Sequence, residues 1–173
     1  MTQLFNKFYI PEDVGISSVA IAQFLKECDE INYKLQTLHI VRHDKAIAEV
    51  SKYPFCALDK RLVYSVSKTF TSTAIGIAVK EGLLRVDDFV LDYFPECRDL
   101  DMDDAARTIK ICHLLTMSTG HGVDTVGDMC NGIRPWPEIF FTRKIVYEPG
   151  THFVYNSGGT YMLSELISRV TGM

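Results

Sequence analysis

Ser65 and Lys68 place a hydroxyl and an amine three positions apart, near the start of a long apolar stretch. On a helix, residues three positions apart lie on the same face, so these two side chains are expected to be neighbours. A serine hydroxyl is a weak nucleophile until a nearby base takes its proton, and a neutral lysine amine can be that base. The spacing therefore fits nucleophilic catalysis through an acylated serine.

A structural reading of the same two residues is also open. Ser65 can serve only as the N-cap of the helix, with Lys68 as a solvated lysine of its first turn. The Ser-x-x-Lys pattern is short, so it does not decide between the two readings by itself.

The element that must position this pair is a helix predicted over residues 65–81 and ended by Gly82, a favourable residue just past a helix C-terminus. A nucleophile at its N-terminus would lie at the positive end of the helix dipole. The apolar side chains along the helix predict that it is deeply buried. They are Phe70, Ala74, Ile77 and Ala78.

The first part of the chain predicts a helix and an antiparallel hairpin. Ser17 or Ser18 can cap a helix whose apolar residues recur at helical spacing. Two β-rich runs, 38–41 and 46–50, are separated by a short polar turn at His43, Asp44 and Lys45. Further helices are predicted over 108–116 and from Ser157 to the C-terminal region, so the class is α+β. The expected division is 1–64 for the first helix and strands and 65–173 for the helical region.

Composition indicates an ordinary globular protein: 173 residues, 47% hydrophobic, 23% charged, with a formal net charge of -4. The Lys and Arg residues form no basic stripe, which argues against a nucleic-acid partner. No apolar run is long enough to span a membrane, and the N-terminal residues lack the pattern of a signal peptide. Neither a membrane nor a nucleic acid is therefore an expected partner.

The five cysteines are odd in number and include no C-x-x-C pair, which predicts free thiols in a reduced, cytoplasmic protein. The five histidines show no metal-ligand spacing, so neither a metal nor an organic cofactor is expected. There is also no G-x-S-x-G elbow and no phosphate-binding loop of the G-x-x-x-x-G-K-[ST] type.

Four stretches of the sequence, in order, resemble the serine β-lactamase-related family, which includes class C β-lactamases, penicillin-binding proteins and esterases. The resemblance covers about residues 37–173 and implies the β-lactamase/D-Ala-D-Ala peptidase-like fold, an antiparallel sheet with a helical region. The matching stretches are 64–72 with 82–88, 109–120, 148–157, and the apolar helix that ends at 170–172.

Carried over to this chain, the resemblance implies that Ser65 is the acylated nucleophile and Lys68 its proton acceptor. Tyr155 would pass a proton between the nucleophile, the lysine and the leaving group, although its position after Phe153 also fits a core aromatic. Class C enzymes have Tyr-x-Asn here, whereas this chain has Tyr155, Asn156 and Ser157. Either Asn156 or Ser157 can orient a substrate carbonyl. This version is more similar to a group of bacterial serine hydrolases of uncertain substrate.

The family's third motif, Lys/His-x-Gly on a late sheet strand, has no counterpart here. In the family that strand supplies one of two oxyanion-hole amides, and losing one such donor costs about 3 kcal/mol. The resemblance therefore implies an N-terminal fragment whose C-terminal sheet strands are missing. An unpaired sheet edge would favour pairing with a second copy of the chain.

The expected function is a serine hydrolase that forms an acyl-enzyme on Ser65. Its substrate would be a small-molecule ester, a D-amino-acid peptide amide or a β-lactam. The alternative is a catalytically inactive fragment of the same fold that binds a ligand or a partner chain. Sequence does not select the substrate, because specificity depends on loops and strands outside these motifs.

Overall fold

The computed structural model describes residues 5–172. In it, the first helix and the hairpin lie where the sequence predicts them. After a 3₁₀ turn at Pro11–Val14, helix α1 (Ser18–Glu30) is capped by Ser17, whose hydroxyl accepts the N–H of Ala20 at 3.3 Å. Strands β1 (Thr37–Arg42) and β2 (Lys45–Ser51) then pair antiparallel.

The turn between β1 and β2 consists of His43 and Asp44, which have φ values of 50° and 58°. Positive φ at both central residues matches the right-handed twist of the paired strands, so the two strands close into a tight hairpin. The predicted hairpin is confirmed, and each strand extends one residue further at both ends than the sequence indicates, so that Lys45 belongs to β2 and not to the turn.

The remaining elements form a helical region. A 3₁₀ turn at Tyr64–Val66 leads directly into helix α2 (Ser67–Lys80), and the last long helix is α7 (Ser157–Thr171). Two 3₁₀ turns, Val90–Tyr93 and Pro95–Cys97, and four short helices lie between them. The short helices are α3 (Asp104–Arg107), α4 (Ile111–Leu115), α5 (Val126–Asn131) and α6 (Trp136–Thr142).

Backbone contacts divide the chain into two compact units, Met1–Leu62 and Val63–Met173. In the second unit, α7 packs against both α2 and α4, and their buried side chains form one apolar core. Burial of each large apolar side chain contributes about 1.5–3 kcal/mol. The core includes Ile75, Ala78, Phe94, Leu114, Phe140, Phe141, Met162, Leu163 and Leu166.

Two expectations for α2 are wrong. The α-helix begins at Ser67, because Ser65 belongs to the preceding 3₁₀ turn. Ala78 is buried as predicted, but Phe70 is 71% exposed and Ile77 is 53% exposed. The stripe that enters the core is narrow, with Ile75 and Ala78 one turn apart, so apolar residues elsewhere around the helix stay at the surface. The end of α2 is as predicted, with Gly82 at φ 74°.

Among residues 5–172, no helix combines the length and the apolar character needed to cross a bilayer. All five cysteines have free thiols, with Cys28 and Cys97 buried.

Candidate active site

Ser65 lies in the 3₁₀ turn immediately before α2, and its side chain is not used to cap that helix. The backbone of this turn is unusual: Tyr64 has φ 44°, a value that non-glycine residues rarely adopt, and the Ser67 hydroxyl donates to the Tyr64 carbonyl at 2.6 Å. The N-cap position of α2 is Val66, and the Ser65 hydroxyl bonds other side chains, so Ser65 does not cap the helix.

Those partners are Tyr155 and Lys68. The Ser65 Oγ lies 2.6 Å from the Tyr155 phenol oxygen, and the Lys68 Nζ donates to the same Oγ at 3.2 Å. The Lys68 Nζ also lies 5.1 Å from the centre of the Tyr155 ring. The structure thus brings together the three residues that the sequence singles out as catalytic, including two that are 90 positions apart.

The environment of Tyr155 lowers the pKa of its phenol. The hydrogen bond with Lys68, and after it the hydrogen bond with Ser65, lowers the pKa of the Tyr155 phenol below the usual tyrosine value. Tyr155 is 46% exposed, so it is a surface residue and not the core aromatic that Phe153 before it made conceivable. A phenol with these neighbours can accept a proton from Ser65 and return it to a leaving group.

Backbone hydrogen bonds from the end of α4 hold the segment that carries Tyr155. The N–H of Gly150 donates to the Ser118 carbonyl at 2.7 Å, and the N–H of Val154 donates to the Met117 carbonyl at 2.9 Å. Gly120, at φ 88°, allows the close approach of this segment, since a Cβ there would lie 2.9 Å from a methyl carbon of Ile145. The 109–120 stretch therefore acts as a support for Tyr155.

The two candidate substrate-binding residues point in different directions. Asn156 is 1% exposed, and its Oδ1 caps α7 by accepting the N–H of Gly159 at 3.2 Å. Its amide is therefore turned into the protein, which removes it from contact with a substrate at the surface. Ser157 is half-buried, and its side chain forms a hydrogen bond that contributes to the lowered pKa of Tyr155. Of the two, Ser157 is the residue on the reactive side.

Sequence reasoning missed Asp124, which lies in the loop between α4 and α5. One oxygen of its carboxylate, Oδ1, accepts the N–H of Ser157 at 2.8 Å and that of Val126 at 3.0 Å. A lone aspartate in a polar loop carries no sequence signal for such a contact, because its partner lies 33 positions away.

His121 is an example of a buried histidine that serves the core. It is 1% exposed, with Nδ1 2.9 Å from the Thr119 hydroxyl and Nε2 3.1 Å from the Phe140 carbonyl. Burial lowers its pKa to about 4. Within residues 5–172, no group of three or more His, Cys, Asp or Glu side chains is arranged to hold a metal ion.

A cavity of about 480 Å³ in the second unit is separate from this arrangement. Its walls include Trp136 on α6 together with Tyr161 and Arg169 on α7, and they include none of Ser65, Lys68 and Tyr155. The candidate active site is therefore defined by side-chain geometry at an open surface and not by this cavity.

The chain belongs to the beta-lactamase family, whose sequence model matches residues 59–173. That match spans well over half of the chain and contains Ser65, Lys68, Tyr155 and Asp124.

Solved structures share the fold. A β-lactamase/D-alanine carboxypeptidase from Pseudomonas syringae is 23% identical with a TM-score of 0.73, over 90% of this chain and 45% of that one. A class C β-lactamase from Rhodobacter sphaeroides is 19% identical with a TM-score of 0.67, over 91% of this chain and 45% of that one. EstCE1, described as a hydrolase with promiscuous acyltransferase activity, is 20% identical with a TM-score of 0.63, over 90% and 49%. This chain thus spans less than half the length of each.

Proposed function

We propose that this chain carries the acyl-transfer centre of a serine hydrolase. The observation that supports the proposal most directly is the contact of one serine oxygen with both a tyrosine hydroxyl and a lysine amine. The Ser65 Oγ is 2.6 Å from the Tyr155 oxygen and 3.2 Å from the Lys68 Nζ. Family membership makes hydrolysis the expected class of reaction, and this geometry supplies a route for the proton.

In the proposed acylation step, the Ser65 Oγ attacks a carbonyl carbon while its proton passes to the Lys68–Tyr155 pair. The tetrahedral intermediate then collapses, the bond from carbon to the leaving oxygen or nitrogen breaks, and the pair returns the proton to the leaving group. The acyl group stays on Ser65 until water attacks the same carbon by the reverse proton path. Ser157, beside Tyr155, is the proposed group that orients the substrate carbonyl.

The proposed substrates are small esters, D-amino-acid peptide amides and β-lactams. All three contain a carbonyl carbon that a serine oxygen can attack to form an acyl-enzyme. The named relatives include a β-lactamase/D-alanine carboxypeptidase and a hydrolase with promiscuous acyltransferase activity. No residue described above distinguishes one leaving group from another, so the proposal is for the shared acyl-transfer chemistry.

Covalent labelling tests the proposal. The purified chain is treated with a fluorophosphonate and, separately, with a labelled penicillin, and the adduct is located by intact mass and peptide mapping. We expect one adduct, on Ser65, that Ser65→Ala abolishes without unfolding the protein. Lys68→Ala should strongly slow it. Ser72→Ala is the matched control, because Ser72 is an exposed serine of α2 whose hydroxyl bonds only the Thr69 carbonyl among the hydrogen bonds described. Undiminished labelling of Ser65→Ala would contradict the proposal.

A second candidate is a member of the fold that binds a ligand or partner without turning it over. It is favoured by the openness of the site, since Tyr155 is 46% exposed and the cavity described above includes none of the three residues. Ester and β-lactam hydrolysis assays separate the two. An adduct on Ser65 without turnover would support an acylated but non-hydrolytic protein, whereas turnover lost in Ser65→Ala supports the enzyme.

We also propose that the chain resides in a reducing, cytoplasmic environment and can self-associate. Five free thiols support the first point. The sheet formed by residues 5–172 has two strands, so both are edge strands, and an edge strand favours pairing with another chain; this supports the second point. Sedimentation of the chain at high concentration tests the association, and a strictly monomeric species would contradict it.

A further inference from the structure

Asp124 connects its loop to the first residues of α7. Its Oδ1 accepts three backbone N–H groups: Ser157 at 2.8 Å, Gly158 at 3.3 Å and Val126 at 3.0 Å. Burial alone would raise the pKa of Asp124, but these hydrogen bonds outweigh burial and the pKa lies below the usual aspartate value. The carboxylate is therefore charged at neutral pH, as is favourable at a helix N-terminus.

The neighbouring Thr125 makes the reciprocal connection. Asn156 Oδ1, which caps α7 through Gly159, also accepts the Thr125 hydroxyl at 2.9 Å and the Thr125 N–H at 3.2 Å. The loop thus supplies an acceptor to α7 and α7 supplies an acceptor to the loop, so the two segments are held together in both directions.

Packing at this junction leaves no spare space. Thr125 and Asn156 are each about 1% exposed, and a Cβ added to Gly158 would collide with the Thr125 hydroxyl and lie 2.7 Å from the Met129 sulfur. Ser157, two positions after Tyr155, thus has its backbone fixed by Asp124. The Tyr155 side chain, by contrast, is 46% exposed.

We propose that Asp124 is a positioning residue for Tyr155, because its bonds to the Ser157 and Gly158 N–H groups hold the backbone that aims the phenol at Ser65. The consequence for reactivity rests on the proposed function, but the consequence for Tyr155 geometry does not. A misplacement of about 1 Å at a reacting group can slow a reaction up to about a hundredfold. Without the carboxylate, we expect Tyr155 to lose its close contact with Ser65 and Lys68.

The test compares Asp124→Ala, the isosteric Asp124→Asn and the control Asp128→Ala. Asparagine keeps an oxygen that can accept N–H groups, so it should retain most of the geometry. Asp128 lies four positions away and pairs with Arg143 at 2.6 Å, so its replacement removes a nearby carboxylate without touching α7. Circular dichroism first establishes that each variant is folded at the temperature used.

The primary measurement is the pKa of Tyr155, read from ¹³Cζ-labelled tyrosine by NMR and assigned with Tyr155→Phe. In Asp124→Ala we expect this pKa to rise toward the ordinary tyrosine value, with little change in Asp124→Asn or Asp128→Ala. An unchanged Tyr155 pKa in folded Asp124→Ala would overturn the inference. If that variant does not fold, Asp124→Glu displaces the same carboxylate by one methylene, and an unchanged Tyr155 pKa there is equally decisive.

The second measurement is the rate at which the fluorophosphonate labels Ser65. We expect a decrease of about ten- to a hundredfold in Asp124→Ala, largely restored in Asp124→Asn. Absence of labelling in the unaltered chain would contradict the proposed function and leave the NMR result to decide the role of Asp124. Equal labelling of Asp124→Ala and the unaltered chain would contradict the positioning role alone.

Discussion

Burial of His121 makes the stability of the fold depend on pH, in a range where most carboxylates are still ionised. A carbonyl can only accept, so the Phe140 contact requires the proton to be on Nε2, which leaves Nδ1 to accept the Thr119 hydroxyl. The neutral ring is thus satisfied at both nitrogens. A second proton would place a charge in the buried core, and for that reason burial lowers the pKa of His121 to about 4, with a smaller contribution from the positive charge of Arg143.

The sign and size of the effect follow from the two pKa values. Above pH 6.5, His121 is neutral in both the folded and the unfolded chain. Below it, the unfolded chain takes up a proton that the folded chain refuses until about pH 4, so the free energy of unfolding falls as the pH is lowered between these values. The full loss corresponds to about 3 kcal/mol, of which about 2 kcal/mol is reached at pH 5.

Urea unfolding followed by circular dichroism at pH 7.5 and pH 5 measures this loss. The glutamine of His121→Gln has one hydrogen-bond donor group and one acceptor but does not titrate. Between pH 7.5 and pH 5, the free energy of unfolding of this variant should therefore fall by about 2 kcal/mol less than that of the unaltered chain. Carboxylates titrate alike in both proteins, so their contribution to the change in stability cancels when the two proteins are compared. His43→Gln removes an exposed histidine and should behave like the unaltered chain. Equal losses in the unaltered chain and His121→Gln would refute the reasoning.

Two further predictions concern the site and its support. Tyr155→Phe removes the hydroxyl 2.6 Å from the Ser65 Oγ and should slow acylation by about 10²- to 10⁴-fold at an unchanged melting temperature, measured by timed labelling and mass spectrometry. A rate within about threefold of the original would contradict its role in proton transfer. Gly158→Ala places a methyl group against Thr125 and Met129 and should destabilise the fold by about 1–3 kcal/mol in urea unfolding. Gly127→Ala is its control, because a Cβ at Gly127 meets nothing within 4 Å, and equal stability changes in the two variants would count against tight packing at α7.

Local signals in the sequence were sufficient for the elements that depend on near neighbours. Ser17 determines the start of α1, and the His43–Asp44 turn determines the register of the hairpin, because each acts within a few residues. The nearness of Ser65 and Lys68 is also local, since a separation of three positions on a helical turn is enough. These features were predictable without any knowledge of the tertiary structure.

Tyr155 could be chosen only through the resemblance to a family. Its contact with Ser65 spans 90 positions and exists because α7 packs against α2, which no spacing rule describes. The dependence on tertiary packing also explains why the predicted burial of Phe70 and Ile77 is wrong. An apolar helix sequence does not reveal how much of the helix surface other elements cover. Sequence predicts Asn156 and Ser157 equally as substrate ligands, because it does not show which of two adjacent side chains turns inward to cap a helix.

The division of the chain between Leu62 and Val63 falls two residues before the nucleophile. Ser65, Lys68, Tyr155 and the supporting Asp124 all belong to the second unit, together with the apolar core beneath them. Every distance on which the proposed chemistry depends therefore joins atoms of the second unit. The nucleophile, its proton partners and the carboxylate that supports them lie within one compact stretch of about 110 residues, and none of them is contributed by the hairpin.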